Sequence, residues 1–146
     1  MIYYIQRNEV DILEKITSAV FYTDGKYVLV CENTGSIDGR YDLPKGLIEK
    51  DETPQEAATR ELFEETGIKI NKEDLNYIGT FQYNQSKDIA LNLCIVNKLP
   101  KIVDLKCTSL FISRDGKQYP EIISYKYVYI GNISSYLRNT LLFHNG

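Results

Sequence analysis

The sequence predicts a mixed α/β (α+β) sandwich, with strand pairs packed around one central helix and a second helix closing the chain. Three features point there. A helix with both ends marked stands near the middle. β-rich runs lie on either side of it. No internal repeat, low-complexity tract or Pro/Gly-rich linker divides the 146 residues, so a single domain over 1–146 is expected, with room for a sizeable core.

The elements follow in order. ITSAVFYTDGKYVLVCE, from Ile16, is two β-rich runs around Thr23-Asp24-Gly25-Lys26, and Asp-Gly between such runs signals a hairpin. NTGSIDGRYDLPKG is rich in turn formers and too irregular to predict an element of its own. Thr53-Pro54-Gln55-Glu56 then offers an N-cap threonine, proline at the first helical position and glutamate at N3, a capping box. The helix runs through EAATRELFEE, buries Ala57, Ala58 and Leu62, and stops at Gly67, a typical residue just past a helix end. LNYIGTFQY, DIALNLCIV, CTSLFIS and SYKYVYI read as further strands. NISSYLRNTLLFHN reads as the closing helix, capped by Asn132 or Ser134, with Tyr136, Leu137, Thr140 and Leu141 on its apolar face.

Composition narrows the function classes. A hydrophobic fraction of 43%, a charged fraction of 25% and a net charge of −3 are ordinary for a globular protein and give no basic footprint for wrapping nucleic acid. No apolar run approaches a membrane span, and MIYYIQRNEVD has no signal-peptide pattern, so a cytoplasmic location is expected. Cys31, Cys94 and Cys107 match neither a disulfide framework nor a zinc site, and Cys31 and Cys94 sit in apolar runs as buried free thiols. His144 is the sole histidine and stands near the end, which argues against a histidine-based nucleophile or triad.

The chemistry concentrates in RELFEETGI, residues 60–68. Helical spacing puts Glu61 on one face with Glu64 and Glu65, and Arg60 with Glu64. Like charges one turn apart repel. The cluster is either a solvated face or a set of hard oxygen ligands for one or two divalent cations such as Mg²⁺.

Register with the flanking residues favours the second. From Gly46 the chain reads glycine, five residues, Glu52, seven residues, then Arg60-Glu61-Leu62-x-Glu64-Glu65-x-Gly67-Ile68. Over these twenty-three residues, 46–68, every fixed position matches the signature of the Nudix hydrolases, which the chain closely resembles. The likeness extends more loosely through the hairpin, the LPKG lead-in, the later strands and the last helix. It implies an α/β/α sandwich with a mixed sheet. It also implies hydrolysis of a nucleoside diphosphate linked to another group, with Mg²⁺ or Mn²⁺ as cofactor.

Carried over, Glu61, Glu64 and Glu65 resemble the metal-binding carboxylates, Glu61 and Glu65 ahead of Glu64, with the backbone carbonyl of Lys45 or Gly46 completing the set. Glu52 and Arg60 resemble a structural pair tying loop to helix, with Arg60 as a substrate ligand the competing role. The general base is in the box or on a loop near the C-terminal end. Glu121, in YPEI, is the loop candidate and Asp88 a second. Lys45 and Arg40 are candidate phosphate contacts. Tyr41 falls where the family places a large packing aromatic, and Phe81 and Tyr83 either stack on a base or pack in the core.

The implied substrates are dinucleoside polyphosphates, ADP-ribose or similar small nucleotides. Removal of a cap or pyrophosphate from an RNA 5′ end is an alternative, with Lys98, Lys101, Lys106, Arg114, Lys117 and Lys126 as its basic path. A non-catalytic nucleotide-sensing module is a third reading, which the intact acidic set disfavours. A homodimer is the assembly that the family suggests, though the sequence shows no interface.

Overall fold

The computed structural model describes residues 16–35, 41–83 and 85–135. Arg40, His144 and most of the expected closing helix lie outside the described residues. The described elements are β1 (Ile16–Thr23), β2 (Tyr27–Asn33), β3 (Tyr41–Asp42), β4 (Lys45–Leu47), α1 (Pro54–Thr66), β5 (Asn76–Gln82), β6 (Asp88–Ile95), β7 (Leu110–Ile112), β8 (Gln118–Pro120) and β9 (Ile122–Tyr129), with 3-10 helices at Lys72–Asp74, Ile102–Asp104 and Ile130–Ser135.

The main sheet is mixed. β1 runs parallel to β6 along its whole length, from Ile16 opposite Asp88 to Thr23 opposite Ile95, and β6 pairs antiparallel with β5. β2 pairs antiparallel with β9 and, at its far end, with β3. The turn between β1 and β2 forms as expected. Asp24 Oδ1 accepts from Lys26 N–H and Tyr27 N–H, each at 2.9 Å, and Gly25 supplies the left-handed φ of 98°.

The hairpin itself differs from expectation. β1 and β2 pair only beside the turn, at Thr23 opposite Val28, and then part. Into the gap comes the stretch expected to be irregular. β4 pairs antiparallel with β1, Gly46 opposite Ser18 and Lys45 opposite Ala19, and Val20 N–H donates to Pro44 O at 3.0 Å. The turn formers around 41–47 gave no local strand signal. Their hydrogen-bond partners come from β1 and β2, so only the assembled sheet makes them strands. CTSLFIS is likewise shorter than expected: only Leu110–Ile112 is extended, in a separate two-stranded sheet with β8.

Alternation along each strand builds the two layers. Val20 and Tyr22 of β1, Leu29 of β2 and Cys94 of β6 point to one face and pack against Ala58 and Leu62 of α1. Ala19, Val28, Val30, Ile89 and Val128 point to the other and pack against Leu43 and Ile133. Phe81, Tyr83 and Tyr41 pack against this second cluster, so their rings do core work. Ile133 belongs to the 3-10 helix Ile130–Ser135, where the sequence predicted the cap of a regular helix. Cys31 and Cys94 are buried free thiols, as their apolar surroundings predicted. No helix among the described residues is long and apolar enough to cross a membrane.

Helix α1 forms where its caps predict. The Thr53 side chain accepts from Glu56 N–H at 3.1 Å, and Thr53 N–H donates to Glu56 Oε1 at 2.9 Å. Gly67 ends it in the left-handed conformation at φ 78° and donates its N–H to Phe63 O. Ser18 Oγ donates to Pro54 O at 2.6 Å and is itself held by Asn92 Nδ2 at 3.0 Å, which fastens the first turn to the sheet.

Candidate active site

The acidic face of α1 looks onto the gap that β1 and β2 leave. Ala57, Ala58 and Leu62 fix the helix's rotation by packing on the sheet, and this leaves Glu61 and Glu65 turned toward β4. Glu65 is 4% exposed, unusual for a carboxylate. Its Oε1 accepts from Lys45 N–H at 3.2 Å. Glu61 lies against Gly46 so closely that a Cβ built on that glycine would fall inside its carboxylate. The absence of a side chain at the motif's glycine leaves room for Glu61.

Burial and mutual repulsion make the cradle electrically costly when empty of positive charge. Burial, then the Glu61 charge, pushes the Glu65 carboxyl up to about 8. Burial pushes Glu61 up to about 7, partly opposed by Arg60. Glu121 adds to the upward push on both, which puts its negative charge within reach of the pair. It gets there by its backbone. Glu121 N–H donates to Ser109 O at 3.0 Å, and the neighbouring Thr108 N–H donates to Glu64 O at 2.8 Å, so the loop before β9 hangs from the last turn of α1.

Arg60 organises the other side. Its Nε donates to Glu52 Oε2 at 2.8 Å and its Nη2 to Glu52 Oε1 at 2.9 Å, a bidentate pair, and Nη2 also reaches Leu47 O at 3.0 Å. The pair ties the loop to the helix and holds the Glu52 carboxyl below its ordinary range. Arg60 Nη1 further lies 3.0 Å from Glu61 and 3.5 Å from Glu64. With 38% of its side chain exposed, Glu64 sits at the rim, where Glu61 at 12% is inside.

Among the described residues no three acidic, histidine or cysteine side chains already converge on one point that would seat an ion. Arg60 Nη1 lies between Glu61 and Glu64 and offsets their like charges. The donor set nonetheless fits a hard divalent ion: carboxylates at helical spacing with Glu65 buried, a side-chain-free Gly46 and the backbone oxygens of its loop. Lys45 stands beside this set, with its ammonium 3.6 Å from Asp42 Oδ2. Asp88 does not join it. It opens β6 opposite Ile16 and Gln82, two residues before Ala90, which packs under Ala57 in the first turn of α1.

A sequence model of the NUDIX domain matches residues 14–93, more than half of the chain. The chain belongs to the Nudix family. This Nudix chain is 49% identical over 47 residues to an RNA pyrophosphohydrolase of Bartonella henselae, a match covering 31% of the chain and 27% of that protein. The chain spans about a quarter of the length of the curated relatives it matches. Among solved structures it resembles a MutT protein of Methanosarcina mazei, with TM-score 0.59, 21% identity and coverage of 84% of this chain and 83% of that one. It also resembles an Ap4A hydrolase of C. elegans, with TM-score 0.60, 19% identity and coverage of 82% and 84%. At these identities the structures show a shared Nudix fold.

Three residues of this Nudix site went unread in the sequence. Asp42 is buried beside Lys45. Tyr125 donates its O–H to Glu65 O, closing the end of the helix onto β9. Ser109 holds Glu121. Strand alternation would have placed Tyr125 on the helix face; nothing local marks the other two.

Proposed function

We propose that the chain is a Mg²⁺-dependent pyrophosphohydrolase that cleaves a nucleoside diphosphate linked to another moiety, with Mn²⁺ as an alternative ion. The single observation that carries this is the pairing of buried Glu65 with Glu61, one helical turn apart and pressed against a glycine loop, where Glu65 accepts from the Lys45 N–H and Glu61 from Arg60 Nη1. Glu61, Glu65 and the Gly46 loop would hold the cation, and Glu64 would reach it from the rim. When bound, the cation neutralises the phosphate oxygens and makes the attacking water more acidic. Arg60 and Glu52 keep Glu61 in register. Lys45 presents its ammonium to a phosphate oxygen, the role proposed for Arg40 as well. Glu121, whose charge both cradle carboxylates feel, takes the proton from the attacking water on its carboxylate oxygen.

Small nucleotides are the first substrate class, given the acidic net charge of −3. An RNA 5′ end is the second reading. It is favoured by the exposed Lys98, Lys101, Lys106, Arg114 and Lys117 in the stretch leading to the Glu121 loop, and by the RNA pyrophosphohydrolase relative.

A panel of dinucleoside polyphosphates, ADP-ribose, NAD and 5′-triphosphorylated RNA, assayed with Mg²⁺ and resolved by product, tests the reading. Hydrolysis of at least one bridged phosphate is expected, and inertness toward all of them would sink it. In the same assay Glu121→Gln is expected to lower turnover at saturating Mg²⁺. Unchanged turnover would make Glu121 a bystander.

A further inference from the structure

Asp42 has no place in the family signature, yet it is 5% exposed. A carboxylate so buried persists only with partners. It has three: Leu43 N–H at 2.8 Å on Oδ1, the Tyr83 O–H at 2.8 Å on Oδ2, and the Lys45 ammonium 3.6 Å from Oδ2. Tyr83 comes from the far side of the sheet. Its N–H closes the turn between β5 and β6 on Lys87 O, and its ring packs in the cluster opposite α1. Asp42 is opposite Cys31 of β2, whereas Lys45 is opposite Ala19 of β1. Carboxylate and ammonium therefore meet across the gap between β1 and β2 that receives the Gly46 loop.

The Lys45 ammonium has a rival partner. Its backbone N–H already rests on Glu65 Oε1, and Glu65 feels its positive charge. A four-carbon stem lets an ammonium swing between neighbouring carboxylates. Laid on Glu65, it would neutralise the oxygens that a divalent cation needs.

We propose that Asp42, supported by Tyr83, is a positioning residue that holds the Lys45 ammonium at the rim of the Glu61–Glu65 cradle, off its carboxylates and facing the phosphate chain. This rests on reading the site as a cation-binding phosphohydrolase.

Mn²⁺ binding to the intact chain without substrate, followed by electron paramagnetic resonance, tests it. Asp42→Asn weakens Mn²⁺ binding about tenfold, the size of one coupled charge interaction. Adding Lys45→Met in that background restores the affinity because the competing ammonium is gone, and gains more there than the same change gains in the parent, a coupling that a merely structural role would not show. Tyr83→Phe keeps the Asp42 carboxylate but removes its O–H donor. It weakens binding in the same direction by less, and it carries the test should Asp42→Asn fail to fold. Parent-like Mn²⁺ binding by Asp42→Asn, or by Tyr83→Phe where the former does not fold, overturns the inference and leaves the proposed function standing. So does a loss that Lys45→Met fails to restore. A parent chain that binds no Mn²⁺ overturns both.

Discussion

Glu52 and Glu65 are the same side chain set at the two ends of one motif, and their surroundings drive them in opposite directions. Glu52 receives two guanidinium hydrogen bonds from Arg60, and its carboxyl is held below the ordinary range. Glu65 is deeper, receives one backbone N–H from Lys45, and is pushed up to about 8, chiefly by burial. Both lie near positive side chains. What separates them is the supply of donors against the depth of burial, with the Glu61 charge adding to the push on Glu65. Glu52 is satisfied within the chain and holds structure together. Glu65, deeply buried with a single backbone donor, is the one we propose as a cation ligand.

The contrast is broken most directly at Glu65. Glu65→Gln keeps the shape and removes the charge. Turnover with Mg²⁺ is expected to fall at least about a hundredfold. The melting temperature in EDTA at about pH 8 stays level or rises, because a poorly compensated buried charge has gone. Parent-like turnover would remove the distinction between the two glutamates.

Gly46→Ala probes the same pocket from the loop. The added Cβ overlaps the Glu61 carboxylate, so loop or helix must shift, at about 1–3 kcal/mol of stability by denaturant unfolding. Mn²⁺ affinity falls with it. A variant as stable and as avid as the parent would mean that Glu61 is free to move away.

The pH dependence of stability without metal sharpens the comparison further. The ordinary value for a glutamate carboxyl is 4.5, and Glu61 and Glu65 stand at about 7 and about 8 when folded. Between these limits the folded chain keeps protons that the unfolded chain has lost, so stability falls as pH rises. Glu52 works the other way: its contribution is present above the ordinary value and is lost as pH falls through its lowered folded value. Thermal melts in EDTA are expected to decline by a few degrees from about pH 5 to about pH 8, and Mg²⁺ to remove the decline. A flat profile in EDTA would refute the burial argument.

The smallest effect is at the other end of the helix. Thr53→Ala removes the cap and costs about 1 kcal/mol by denaturant unfolding, with turnover unchanged. A loss of activity beyond that of stability would show that the cap also sets the register of the acidic face.

How far the site could be read in advance depended on whether its information was local. The helix from Pro54 to Thr66 was legible because caps, proline and terminal glycine act on neighbours in the chain. So was the face shared by Glu61, Glu64 and Glu65, which is a matter of helical period. The strands at 41–47 were not, because their partners are Ala19 and Cys31. The Asp24-Gly25 turn was visible, but the parting of β1 and β2 beyond Val28 was not, since a turn sequence governs only the pairs beside it.

By itself, then, the sequence determined the composition of the cradle: which carboxylates, at what helical spacing, beside which glycine. These follow from chain-local geometry. Only the tertiary structure decided the depth of Glu65, the pressing of Gly46 against Glu61, the approach of Glu121 from the loop before β9, and the capture of Lys45 by Asp42. Burial and long-range charge depend on which distant segments the sheet brings together, and no local pattern records that.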